Sequence, residues 1–204
     1  MVLLAGAAVL AWMSFLLDDA ARSWTTEHQS AGARSIMEAV SQYGDWPEHV
    51  ALGVILIAMA WSRGNKAWAR IFAAMIVACA LAGVGARLVK ISAGRARPNV
   101  QVESGWNGPR FSSRYHAFPS GHTAASTAFF ATLVFAGWRI GAGLLFIPAL
   151  IGFSRMYVGA HYLSDAVCGA LIGLFAAWFI ASRLGPGATP ARTANGREGA
   201  LRRP

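Results

Sequence analysis

Charge is scarce in this chain. Charged residues make up 13% of its 204 residues, where a soluble domain carries about a quarter. A soluble fold needs more polar surface than that, so the composition points to a membrane protein. Of the charged residues the acidic ones are the fewer, 9 against 18 basic, for a net charge of +9. So basic a chain could meet nucleic acid. Its basic residues, however, sit between apolar runs, which suits anionic lipid headgroups or a phosphorylated substrate better; nucleic acid is not an expected partner. Cysteine is nearly absent. Cys79 and Cys168 each lie inside an apolar run, outside any CxxC or zinc spacing. They read as small core residues and carry no message about redox compartment. No positive charge precedes the first apolar stretch, Val2 to Leu17, so a retained membrane helix is expected there instead of a cleavable signal peptide. No repeat of fixed period stands out.

What is present is a series of apolar runs. After the first come Val50–Trp61, Ala67–Val89, Thr123–Trp138, Ile140–Phe153 and Tyr162–Leu184. Several are shorter than the ~20 residues of a full span. The expected fold is all-α, a polytopic membrane bundle of about six helices. Residues 1–184 form the expected membrane-embedded domain. Residues 185–204, rich in Gly, Pro, Ala and Arg, read as a disordered basic cytoplasmic tail. Between the first two runs, Ile36, Met37, Val40 and Tyr43 share a helical face, which fits a short amphipathic helix on the membrane surface as well as an ordinary loop helix. Ser92–Pro119 is the longest polar connection, and a connection of that length is usually functional or disordered. GALIG, Gly169 to Gly173, matches a close helix contact within the chain.

Three patches concentrate polar chemistry. In "KISAGRARP", Lys90 and Arg97 would share one face if helical, although Pro98 makes continued helix unlikely. Snorkelling to the interface would also explain them. In "PSGH", Pro119 to His122, a helix start would aim free N–H groups and a positive dipole end at an anion. Ser120 either caps that helix or donates to an oxyanion, and Gly121 allows close backbone approach. In "SRMYVGAHYLSD", His161 and Asp165 are four apart, neighbours on one helical face. The carboxylate can take the ring's Nδ1–H and leave Nε2 free to attack or to bind a metal. Arg155, six residues before His161, is expected to face the same cavity.

Lys90 with Arg97-Pro98, Pro119-Ser120-Gly121-His122, and Ser154-Arg155 with His161 and Asp165 resemble, in order and intact, the three motifs of the type 2 phosphatidic acid phosphatase (PAP2) superfamily. The surrounding apolar runs resemble its membrane lipid phosphatase branch. The resemblance implies hydrolysis of a lipid's phosphate monoester or pyrophosphate, with phosphatidic acid, phosphatidylglycerol phosphate, polyprenyl pyrophosphate and lipid A phosphates as substrate types. It implies a phosphohistidine on His161 oriented by Asp165, with His122 as the acid that protonates the leaving oxygen. Lys90, Arg97, Ser120, Gly121 and Arg155 would hold the phosphate. No cofactor or metal ion is implied. The sequence alone leaves the two histidine roles exchangeable. Other readings are a metal site on His122, His161 and Asp165, a transporter or lipid-binding protein with an anion site, and a haloperoxidase.

With both termini cytoplasmic, the 18 basic residues divide evenly between the two sides. Those from Arg87 to Arg114 do not report topology if they bind phosphate. Setting them aside favours termini inside, a bacterial inner membrane, and a site facing the periplasm or cell exterior. Arg95, Arg110 and Arg114 are candidates for holding a second phosphate. His28 and His49 are expected to be exposed, and His116 is a candidate headgroup contact.

Overall fold

The computed structural model describes residues 2–100 and 105–184. The expected tail, 185–204, lies outside them. Eight α-helices make up the described fold: α1 (Val2–Leu16), α2 (Asp18–Glu27), α3 (Ala31–Tyr43), α4 (Trp46–Ser62), α5 (Lys66–Ala93), α6 (Gly121–Phe135), α7 (Phe146–Tyr157) and α8 (Leu163–Ala181). No strand occurs among the described residues, and the fold is an all-α membrane bundle. By length and composition, α5 and α8 can cross a membrane, and α1 with α2, bent by 54°, makes a third span if the pair counts as one. α4 and Gly141–Tyr157 are apolar but shorter. Of the six expected spans, length and composition therefore support two or three.

α6 explains part of the difference. Every residue from Thr123 to Leu133 is buried, including Thr123, Ser126, Thr127 and Thr132. The helix packs mainly against α8 and α5. A helix wrapped in protein needs no lipid-facing apolar surface, so its hydropathy understates its depth. Small residues permit the packing. A Cβ added at Gly169 would stand 2.5 Å from the Ser120 carbonyl oxygen, and one at Gly173 would stand 2.5 Å from that of Ala124. The GALIG motif thus seals α8 onto α6 within the chain.

α5 stops three residues past Lys90. Gly94 takes the left-handed conformation (φ 58°), and its N–H donates to the Lys90 carbonyl at 3.1 Å. Pro98 does not end the helix, and Lys90 and Arg97 do not share a helical face. The connection that follows is stitched to itself by backbone hydrogen bonds, Ala96 N–H to Gly105, Arg97 N–H to Arg114 and Ala117 N–H to Arg95. α3 begins with Ser30, whose Oγ accepts from the Ala33 N–H. It docks on α7, while Ile36 and Tyr43 remain exposed.

One buried ion network ties distant segments together. Arg95 donates to Asp18 Oδ2 at 2.7 Å and to Asp165 Oδ1 at 2.6 Å. Ser164 bonds both Arg95 and Asp18 through its hydroxyl, and its N–H donates to Asp18 Oδ1. The guanidinium lies 4.1 Å from the Tyr162 ring centroid. Arg95 is therefore structural and unavailable to a second phosphate. Two histidines also differ from expectation. His49 is buried, edge-on to Phe129 and Phe130. His116 is buried with its Nε2–H donating to the Arg110 carbonyl, away from any headgroup.

Two stability outcomes follow from this packing. Gly173→Val should lower the thermal midpoint in detergent by the equivalent of about 1–3 kcal/mol through overpacking against the α6 backbone. Arg95→Met should cost about 3–5 kcal/mol, because it leaves Asp18 and Asp165 buried without a counter-charge. Arg95→Lys should recover little, since an ammonium cannot bridge both carboxylates as the planar guanidinium does.

Candidate active site

Four segments converge at one end of the bundle. Lys90 sits in the last turn of α5, and Arg97 lies on the stitched connection. Ser120, Gly121 and His122 form the N-terminus of α6, and Arg155 is in the last turn of α7. His161 lies in the turn before α8, and Asp165 is in that helix's first turn. Close contacts join them. A Cβ at Gly121 would lie 3.4 Å from Lys90 Nζ. The Ser120 N–H donates to the Asp165 carbonyl at 2.8 Å, and the His161 N–H to the Arg155 carbonyl at 3.2 Å.

His161 does not share a helical face with Asp165, because the chain turns helical only at Leu163. The pairing survives by another route. The Asp165 side chain is fully buried, and its Oδ2 accepts the Tyr162 N–H at 2.8 Å. His161 Nδ1 stands 3.5 Å from that same oxygen, the outer limit of hydrogen-bond reach. Neither ring nitrogen of His161 has a hydrogen-bond partner among the described residues. Burial pushes the imidazole down to about 3; Asp165 acts against that shift, while the Lys90 and Arg155 charges add to it. The ring is thus neutral at pH 7, with a lone pair available.

Ser120 is fully buried and caps α6. Its Oγ accepts from the Thr123 N–H at 3.5 Å and from Thr123 Oγ1 at 2.9 Å. Both contacts use it as acceptor, so its own hydroxyl proton remains for another acceptor. The Nε atoms of Arg97 and Arg155 are buried without a partner among the described residues. One terminal nitrogen of Arg155 donates to Ser41 Oγ on α3.

His122 stands where two clefts meet. One, of about 570 Å³, runs from Lys90, Gly121 and His122 along Val50, Cys79, Gly83, Val84 and Leu88 between α4 and α5. The other, of about 490 Å³, is polar and includes Ser41, Gln42, Arg97, Asn99 and Arg155. Asp45 lines both, and its Oδ1 lies 3.6 Å from His122 Nε2. His161 opens on a third, smaller cavity of about 200 Å³, which shares Asn99 and Val158 with the polar cleft. The two histidines therefore belong to one end of the bundle but open on different cavities. Arg110 and Arg114 are exposed, and neither lines the clefts at His122. Among the described residues, no three His, Cys, Asp or Glu side chains gather as a metal site would require.

Sequence reasoning missed Asp45, Ser41 and Asp18. The "DWPE" stretch reads as a helix start, and Asp45 does cap α4. Nothing local connects that cap to a histidine 77 positions later.

Known proteins resemble this chain in sequence and in fold. Lipid A 1-phosphatase of Rhizobium johnstonii is 37% identical over 100 residues, which is 48% of this chain and 40% of that protein. The chain thus spans well under two thirds of that relative. The crystal structure of the first transmembrane PAP2 type phosphatidylglycerolphosphate phosphatase from Bacillus subtilis superposes with a TM-score of 0.66 at 19% identity, covering 88% of this chain and 92% of that one. Aquifex aeolicus LpxE superposes with a TM-score of 0.62 at 22% identity, covering 81% and 95%. Both share the fold. The family model for the PAP2 superfamily matches residues 67–185, more than half of the chain and all three polar patches, and the protein belongs to that superfamily.

Proposed function

We propose that this protein is a membrane-embedded phosphatase that removes the terminal phosphate of a lipid phosphate, as a monoester or a pyrophosphate, through a phosphohistidine. The observation that carries the reading is the juxtaposition at His122. An apolar cleft of about 570 Å³ meets a polar cleft lined by Arg97 and Arg155, with Lys90 and the α6 N-terminus at the junction.

The chemistry follows from those groups. Lys90, Arg97, Arg155, the Ser120 hydroxyl and the Gly121 N–H hold the phosphate oxygens, spreading charge as phosphoryl transfer requires. The neutral His161 ring attacks phosphorus through Nε2. As the N–P bond forms, the P–O ester bond breaks and the leaving oxygen takes a proton from His122, a step worth ~10²–10⁴ in rate. Asp165 holds the His161 Nδ1–H and stabilises the charge that develops on the ring. Water then attacks the phosphohistidine, giving its proton to His122 and releasing phosphate and free His161. No step calls for a metal ion. His161 lines the neighbouring cavity, so attack requires the phosphate to reach from the polar cleft past Asn99 and Val158, which line both.

Topology supports an outward-facing site. α1 runs toward Asp18 at the site end, and α8 runs away from it, so Val2 and Ala181 lie at the opposite end of the bundle. With that end toward the cytoplasm, the site would open to the periplasmic or exterior surface.

Purified protein in detergent should release phosphate with EDTA present, and His161→Ala should abolish release. Activity that disappears with the chelator, or persists in the variant, would overturn the mechanism. Phosphatidic acid, phosphatidylglycerol phosphate, a polyprenyl diphosphate and a lipid A 1-phosphate, assayed side by side, identify the headgroup. A lipid that binds without hydrolysis would favour a carrier. Gly83 lines the apolar cleft, and an added Cβ meets nothing within 4 Å. Gly83→Phe should therefore fold and should reduce kcat/KM for a long-chain lipid phosphate by about tenfold. The loss on p-nitrophenyl phosphate should be smaller. Equal losses would mean the chain binds elsewhere.

A further inference from the structure

The mechanism above gives one imidazole a carboxylate and leaves the other among cations. Lys90 on α5 shares the apolar cleft with His122, Arg97 on the connection and Arg155 on α7 share the polar one, and Arg87 lines the apolar cleft as well. A general acid must carry its proton when substrate arrives. Three fixed positive groups oppose that. Among the described residues, two carboxylates share a cleft with the ring: Glu38, which is paired with Arg34 at 2.9 Å, and Asp45, 3.6 Å from Nε2.

We propose that Asp45 is the positioning residue for His122, holding the ring toward the cleft and balancing the imidazolium through each turnover. The inference rests on the phosphatase reading above. Asp45 is suited to the task because something else fixes it. Its Oδ1 accepts the Trp46 N–H at 2.8 Å as the N-cap of α4, so its orientation is set by a helix start and not by the histidine. The carboxylate lines both the apolar and the polar cleft, so it faces the point where leaving group and phosphate divide. A separation of 3.6 Å is outside hydrogen-bond range, and catalytic contacts of this kind commonly tighten when substrate binds.

His122 gives its proton to the departing oxygen as the P–O bond breaks. It takes one back from the water that attacks the phosphohistidine. Asp45 exchanges no proton. It stabilises the charged ring before the first transfer and after the second. The site would then hold two imidazole–carboxylate pairs, Asp165 with the nucleophile and Asp45 with the acid, drawn from opposite ends of the sequence.

Asp45→Asn tests this without removing the cap, since Asn caps a helix as well as Asp. Its kcat should fall about 10–100-fold with no rise in KM. The alkaline limb of the kcat/KM profile should move to lower pH, because the ring loses the charge that keeps its proton. The loss should be greater for phenyl phosphate than for p-nitrophenyl phosphate, whose phenolate departs without protonation. Asp45→Glu should recover part of both the rate and the pH profile. A merely structural role would lower both substrates equally and leave the profile unmoved, and that result overturns the proposal alone. Wild-type protein inert toward aryl and lipid phosphates would overturn the phosphatase reading and this inference with it.

Discussion

A single guanidinium, buried between two carboxylates, sets the geometry of the site. Arg95 bridges Asp18 at the start of α2 and Asp165 in the first turn of α8, and Ser164 closes the network. Phe15, Trp106 and Tyr162 surround the cation, which suits a desolvated guanidinium. Removing one partner would strand a buried charge, so the three segments are held together by the cost of separating them. Asp165 can then present its second oxygen to Tyr162 N–H and to the His161 ring in a fixed direction. The carboxylate beside His161 is therefore held by a network that reaches from Asp165 through Arg95 to Asp18.

Close backbone approach is the second constraint. Gly169 and Gly173 let α8 lie against the first turns of α6, and the Ser120 N–H reaches the Asp165 carbonyl. The start of α6 and the His–Asp pair are thereby parts of one contact. α6 has protein on all sides, and its buried hydroxyls are tolerated because they find backbone or side-chain acceptors, as Thr132 does at the Ala128 carbonyl. Ser126 Oγ has no partner among the described residues. Around this core, lipid-facing side chains such as Val77, Val84, Leu88 and Phe175 are exposed, which in a membrane is burial by another solvent.

Much of this was legible in the chain. Low charge and long apolar runs gave an all-α membrane bundle. Helix-start chemistry at Ser120, the ordered patches around Lys90, His122 and His161, and the small-residue contact at Gly169 all rest on local pattern, which sequence carries directly. Other features were not legible. Arg95 and Arg97 look alike in "GRARP", yet one is locked in a structural network and the other has a buried Nε with no partner. His49, set in a polar stretch of sequence, is buried against Phe129. Which side chain turns inward depends on partners far along the chain, and no local window contains them.

The sequence by itself determined the class of fold and the motif residues that seed the polar cluster, because hydropathy, caps and motif spacing are properties of neighbouring residues. Tertiary structure decided the assignments within that cluster. It chose Arg95 as a structural bridge, ended α5 at Gly94 so that Lys90 faces Gly121, and carried Asp45 to the edge of His122. Those outcomes are contacts between segments distant in sequence, and only the packed helices bring the charges close enough to choose their partners.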